Sequence, residues 1–146
     1  MTSSIPAARD EASARLRVAG LKVTEPRLAV LDAIAPGEHL GADEVFRRVS
    51  RSLPTTSPQA IYGVLGALHG AQLLRRIEPA GSPTLYENRV GDNHHHLVCS
   101  SCGKVTDVDC VVGEPPCVQP STTNGYVIRT AEVTFWGLCP ECQRAD

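Results

Sequence analysis

Cys99-Ser100-Ser101-Cys102 and Cys139-Pro140-Glu141-Cys142 are two C-x-x-C pairs. Each offers two thiolates from one tight turn, and two such turns complete the tetrahedron of soft ligands that Zn²⁺ favours. Four thiolates leave the ion no open position, so the pattern predicts a structural zinc site rather than a hydrolytic one. A thioredoxin-like dithiol needs a strand–helix setting, which the sequence around neither pair displays. The pairs stand further apart than in a compact zinc ribbon, so the chain between them must form structure and return. Cys110 and Cys117 lie in that interval and remain open as spare thiols, a redox pair or further ligands. Pro115, Pro116 and Pro120 make the surrounding stretch loop rather than helix.

Immediately ahead of the first pair comes Asp92-Asn93-His94-His95-His96. In a strand, His94 and His96 share one face and His95 takes the other. Imidazole suits Zn, Fe, Mn or Ni, and nearby carboxylates favour harder ions such as Fe(II) or Mn(II). Glu87 and Asp107 lie in adjacent segments that a small sheet can bring alongside. The competing readings are an exposed polar strand, or histidines that only surround the zinc. A zinc deaminase requires H-x-E together with P-C-x-x-C. Leu138 precedes Cys139 and no His-x-Glu occurs, so an enzyme is not expected.

The chain that positions these residues has 146 residues, 42% hydrophobic and 21% charged, the profile of a folded protein rather than a disordered one. No apolar run approaches the roughly 20 residues of a membrane helix. Met1 to Pro6 lacks the features of a secretory signal, so the expected compartment is the cytoplasm. A cysteine cluster in that setting suggests a metal or redox site before structural disulfides. The net charge of −2 speaks weakly against a nucleic-acid partner, but it averages two unlike halves. Met1 to Val90 holds eleven basic and nine acidic residues, Gly91 to Asp146 three and seven. A mildly basic half and an acidic, Cys/His-rich half fit one DNA-facing and one metal-facing module.

The basic half reads as short helices. One is expected over about 11–19, with Leu16 and Val18 for packing and Gly20 as its stop. Thr24 is a natural N-cap with Pro26 in the first turn, followed by Leu28, Leu31 and Ile34 at helical spacing. The next helix starts near Gly41-Ala42-Asp43-Glu44, buries Val45, Phe46, Val49 and Leu53, and stops at Pro54. Ser57 caps the following one, with Pro58 at N1 and Ile61, Val64, Leu65 and Leu68 on one face. Its opposite face shows Gln59, Tyr62, Gly63 and Gly66. Two helical glycines cost roughly 1 kcal/mol each, so either DNA or another helix should approach that face closely. Leu73–Glu78 and Thr84–Glu87 then form a hairpin. Three helices and a two-stranded wing are the order of a winged helix-turn-helix, whose third helix enters the major groove. Arg47, Arg48, Arg51, Arg75 and Arg76 are either phosphate contacts or a solvated face. In the other half, 127–129 and 132–137 read as strands, with Phe135 and Trp136 as core or interface aromatics.

Four motifs in order carry a family resemblance. Lys22-Val23-Thr24-x-Pro26-Arg27, Ser57-x-x-Ala60-Ile61-Tyr62-x-x-Leu65, His94-His95-His96-Leu97-Val98-Cys99-x-x-Cys102-Gly103-Lys104 and Gly137-x-Cys139-x-x-Cys142 together resemble the ferric uptake regulator family over about residues 12–143. The resemblance implies an α+β protein. A winged helix-turn-helix DNA-binding domain (1–88) would precede an α/β dimerisation domain (89–146) carrying the four-cysteine zinc site. It implies a homodimeric repressor that binds double-stranded, AT-rich palindromic operators when metal-loaded. Structural Zn²⁺ would sit on Cys99, Cys102, Cys139 and Cys142. Regulatory Fe²⁺ or Mn²⁺ would sit on His39, Glu87, His94, His96 and Asp107. Lys22, Arg27, Ser57, Gln59 and Tyr62 would face DNA, with Tyr62 packing on bases.

The run from Val90 to His96, with Asp107-Val108-Asp109-Cys110 and Cys117, is most similar to the actinobacterial branch linked to catalase-peroxidase genes. Asp at 107 also resembles peroxide-sensing members, in which Fe(II) and peroxide oxidise histidine ligands and DNA is released. His39 and His94 would then be the targets. A repressor sensing iron or zinc supply is the runner-up, and a zinc-bearing protein-interaction module the third reading. The sequence departs from the family at Gly63, where Arg or Asn is usual, and at Ala131, where a histidine builds an additional metal site. The proline-rich 110–120 stretch weakens the family's helix there, and Cys110 and Cys117 lie outside its common pattern.

Overall fold

The computed structural model describes residues 5–111 and 118–145. The chain divides into two compact units, Met1–Val90 and Gly91–Asp146. The first holds α1 (Ile5–Val18), α2 (Glu25–Ala33), β1 (Leu40–Gly41), α3 (Ala42–Val49), α4 (Pro58–Gly70), β2 (Arg75–Ile77) and β3 (Leu85–Glu87). The second holds β4 (His94–Cys99), β5 (Val105–Asp109), β6 (Thr134–Gly137) and α5 (Pro140–Arg144). Mixed helix and sheet give the expected α+β class, with α2, α3 and α4 followed by the β2–β3 hairpin as in a winged helix-turn-helix. No helix among the described residues is long and apolar enough to cross a membrane.

Helix starts follow the sequence signals. The Thr24 hydroxyl accepts from Arg27 N at 3.4 Å, and that of Ser57 from Ala60 N at 3.2 Å. Both satisfy amides that the first helical turn leaves without a partner. Leu28, Leu31, Ile34, Val45, Ile61, Leu65 and Leu68 all enter one core, closed by Leu16 from α1 and Tyr86 from β3. Three expectations need correction here. Helix α1 begins at Ile5, because Pro6 suits a first turn and the alanines after it favour helix. Val18 is exposed rather than packed. Helix α3 ends at Val49, well before Pro54, and Leu53 reaches the core from the turns that follow.

The hairpin gains a third strand that the sequence did not announce. β1 pairs antiparallel with β3, Leu40 opposite Tyr86, giving the order β1-β3-β2. Two residues are too few to show an alternating pattern.

In the second unit β4 lies between β5, antiparallel, and β6, parallel. Apart from its histidines, only Val98 and Cys99 are buried among its described residues. The expected strand over 127–129 is not formed, and the one expected over 132–137 is confined to Thr134–Gly137. Phe135 and Trp136 are half-exposed, so they are not core within this chain. A unit with so little core must draw stability from elsewhere, and metals and subunit contacts are the usual sources.

Candidate metal centres

One strand serves both predicted sites. His94 and His96 open β4 and Cys99 closes it. Beyond Cys99 the chain turns back, with Gly103 N donating to Cys99 O at 3.0 Å and Cys99 N to Lys104 O at 2.9 Å. Gly103 has φ +78°, the left-handed conformation that a side chain disfavours, which is why a glycine closes this knuckle. The parallel register sets Cys99 opposite Gly137, two residues before Cys139. Cys139 is then the N-cap of α5, and Cys142 lies one helical turn on, facing the same side.

The four sulfurs consequently converge, all lying within 4.8 Å of one another, with Cys102 Sγ 3.8 Å from Cys139 Sγ. All four thiols are free rather than disulfide-bonded. Amides of Cys102 and Cys139 donate to Cys99 Sγ and hold its pKa down to about 6. Cys142 goes the other way. A hydrogen bond from Ser101 would lower it, but the thiols of Cys139, Cys99 and Cys102, with burial, push it up to about 12. Four sulfurs this close cannot all ionise against one another, and a divalent cation removes that conflict. The donor set fits Zn²⁺. The second pair does sit between a strand and a helix, contrary to the sequence expectation. Its convergence with Cys99 and Cys102 nevertheless fits a metal better than a two-thiol redox couple, which needs no further sulfurs.

The predicted His/carboxylate residues form two clusters, one in each unit. In the first unit, the β1–β3 pairing carries His39 alongside Glu87, with His39 Nε2 2.7 Å from Glu87 Oε2. Both side chains are almost fully buried, 3% and 2% exposed. Arg48 steadies the approach to His39. It donates to Ala33 O at 2.9 Å and to both oxygens of Glu38 at 2.7 and 3.1 Å, while Glu38 accepts from Ala35 N. In the second unit, register places His96 opposite Asp107. Asp107 Oδ1 lies 3.3 Å from His96 Nε2 and 3.6 Å from His94 Nε2. The two rings meet edge to face, centroids 4.9 Å apart. Asp92 Oδ1 sits 2.8 Å from His94 Nδ1, a contact that fixes the orientation of the ring. His95 takes the other face, as expected, and its Nδ1 accepts from Val133 N at 3.3 Å.

Sequence reasoning missed Asp92 as a partner of His94. It also missed Arg75, whose Nε lies 3.7 Å from Glu87 Oε1. The i, i+2 spacing of Asp92 and His94 was a usable signal; the Arg75–Glu87 pairing was not, because it depends on hairpin register. Cys110 follows β5, half-buried and apart from the four-cysteine cluster. Cys117 lies outside the described residues.

Of the residues expected to face DNA, Gln59 and Tyr62 are exposed on α4, Tyr62 at 55%. Lys22 is exposed, and its carbonyl accepts from Arg27 Nη1 at 2.7 Å. The Ser57 hydroxyl is engaged as the cap of α4. A Cβ added at Gly63 or Gly66 would meet nothing within 4 Å. No other helix among the described residues therefore explains those glycines, and they leave a smooth open face. Arg47 and Arg48 pair with Glu44, and Arg47 stays exposed on the surface.

A family model described as "Ferric uptake regulator family" matches residues 18–135. The chain is 51% identical over 144 residues to "Transcriptional regulator FurA" of Mycobacterium tuberculosis, covering 99% of this chain and 95% of that protein. It is 52% identical over 121 residues to "Ferric uptake regulation protein 1" of Mycolicibacterium fortuitum, covering 83% and 75%. Among solved structures it resembles the Vibrio cholerae ferric uptake regulator, with TM-score 0.64, 25% identity and coverage of 87% and 98%. The Helicobacter pylori ferric uptake regulator, described as having three functional metal-binding sites, shares the fold at TM-score 0.68 and 20% identity, covering 97% and 95%.

Proposed function

Because this chain belongs to the ferric uptake regulator family, whose relatives are named as transcriptional regulators rather than enzymes, we propose that it is a metal-loaded, homodimeric repressor of the cytoplasm that releases its operator under peroxide stress. The observation that carries this reading is the pair of His–carboxylate clusters, one in each unit. His39 and Glu87 on one side, with His94, His96 and Asp107 on the other, would hold a single Fe²⁺ or Mn²⁺ ion. Their mixed imidazole and carboxylate donors suit such ions. When bound, the ion supplies the positive charge that the carboxylates need and, as Fe²⁺, a reducing centre for peroxide. Ligands drawn from both units would favour the arrangement that engages DNA, and the ion's differential affinity sets how far that equilibrium moves.

The remaining residues divide the labour. Cys99, Cys102, Cys139 and Cys142 would hold a structural Zn²⁺ that stiffens a unit with little core. Its exposed Leu97, Phe135, Trp136 and Leu138 offer apolar surface for the second copy. Tyr62 and Gln59 on α4, with Lys22, Arg27 and Ser57, would meet the AT-rich palindrome. The Gly63 and Gly66 face lets backbone or base approach α4 closely. Cys110, with Cys117, would be a candidate for a second, thiol-based response.

The iron-supply alternative is favoured by the M. fortuitum relative's name, "Ferric uptake regulation protein 1". The two part company in one assay. Fe²⁺-loaded and Mn²⁺-loaded protein are bound to promoter DNA and challenged with hydrogen peroxide. The peroxide reading predicts release from the Fe²⁺ form alone, with one oxygen atom gained on His39 or His94 by peptide mass. Release only on chelation, with unmodified histidines, would establish the iron-supply reading instead.

A further inference from the structure

Glu87 is a carboxylate almost wholly removed from water, and His39 and Arg75 are two of the groups against it. Oε2 meets His39 Nε2 at 2.7 Å, while Oε1 faces Arg75 Nε at 3.7 Å. The second contact is built into the backbone, because the β2–β3 register sets Arg75 directly opposite Glu87. Cross-strand neighbours lie on one face of the sheet, so the hairpin register keeps the guanidinium within reach of Glu87. Its side chain is only 22% exposed, which limits screening by water and salt. The next residue, Arg76, takes a different partner, Glu78, at 3.6 Å.

We infer that Arg75 is an internal counter-charge for Glu87, occupying in the metal-free protein the electrostatic role of the regulatory ion and thereby setting how much metal is needed to load the site. The inference rests on the proposed role of Glu87 as a metal ligand. The guanidinium stays charged at any working pH. A divalent ion arriving at Glu87 must share the carboxylate with a fixed positive charge a few ångströms away, and that repulsion lowers affinity. The same charge keeps a buried anion tolerable when no metal is present. Arg75 therefore stabilises the metal-free state and weakens the loaded one. A purely structural residue would not do both.

The test uses the zinc-loaded full chain as wild type, Arg75→Gln, Arg75→Met, Arg75→Lys and Glu87→Gln, titrated with Mn²⁺ by calorimetry. Two neutral replacements guard against one failing to fold, which far-ultraviolet circular dichroism checks. Removing the charge should tighten Mn²⁺ binding by about tenfold or more, whereas Arg75→Lys should stay near wild type. In the metal-free protein the neutral variants should show faster amide exchange in β2 and β3, restored to wild-type rates by Mn²⁺. Neutral variants that bind Mn²⁺ no more tightly than wild type, while Glu87→Gln binds it poorly, would overturn the counter-charge alone. Wild-type Mn²⁺ affinity in Glu87→Gln would instead remove Glu87 from the metal site, and the inference with it.

Discussion

Replacing Leu65 and Tyr62, three residues apart on α4, should separate the two faces of that helix. Leu65 is wholly buried in the core where α4 packs on α2 and α3, and Leu65→Ala leaves a cavity there that the neighbours only partly fill. Such truncations cost about 2–5 kcal/mol. Against a typical stability of about 5–15 kcal/mol, and about 4–8 °C per kcal/mol for a unit of this size, the melting temperature should fall by about 8 °C or more. Tyr62 is more than half exposed, so Tyr62→Ala should change stability by no more than about 0.5 kcal/mol. If its ring packs against base edges in the groove, its removal should weaken DNA binding by about 1–3 kcal/mol, or roughly fivefold to more than a hundredfold. Circular dichroism at 222 nm follows the first unit well, because α1 to α4 belong to it. Fluorescence anisotropy at fixed salt reports DNA. A Tyr62→Ala protein that melts as early as Leu65→Ala, or binds DNA as wild type does, would refute the assignment of faces.

Other perturbations address the sites. Cys142→Ser should lose zinc by elemental analysis and the dimer by sedimentation; a zinc-free variant that stays dimeric would overturn the structural role of the cluster. His94→Ala should keep zinc and the dimer yet lose the Mn²⁺ dependence of DNA binding, and an unchanged response would strike His94 from the site. Acid should loosen the Arg48 clamp. Hydrogen bonds from Arg48, then from Ala35 N, lower the pKa of Glu38, and bonds from Arg47 and Arg48 hold Glu44 down to about 2. Because these folded values lie below the ordinary 4.5, their stabilisation is complete above that pH and fades as pH falls towards about 2. Both carboxylates are near the surface, so solvent keeps the effect modest. Urea melts of wild type and Arg48→Met across that range should converge on acidification, and parallel curves would show that the clamp does not contribute.

Legibility in the sequence followed the range of the interaction. Ser57-Pro58 and Thr24-x-Pro26 located helix starts because capping is decided within a few residues. The two C-x-x-C pairs exposed their chemistry for the same reason, and alternation alone separated His95 from His94 and His96. What depended on register stayed hidden. β1 is two residues long and exists only because β3 offers it an edge, yet it carries His39 to Glu87. Arg75 reads as one of many surface arginines until the hairpin places it across from Glu87. Residues 127–129 have the composition of a strand without a strand partner among the described residues, and Phe135 and Trp136 have the composition of a core they do not enter. Apolar composition records that a side chain leaves water somewhere, and a second copy can supply the place.

A second metal, distinct from zinc, is proposed to control DNA binding. Its most direct test is anisotropy of zinc-loaded protein on DNA from upstream of its own gene, at one salt concentration because phosphate contacts make affinity salt-dependent. Specific binding is expected with added Mn²⁺ and none without it, and that difference should be lost in Glu87→Ala. Equal binding in both conditions, or none in either on DNA selected without bias from random sequence, would contradict it.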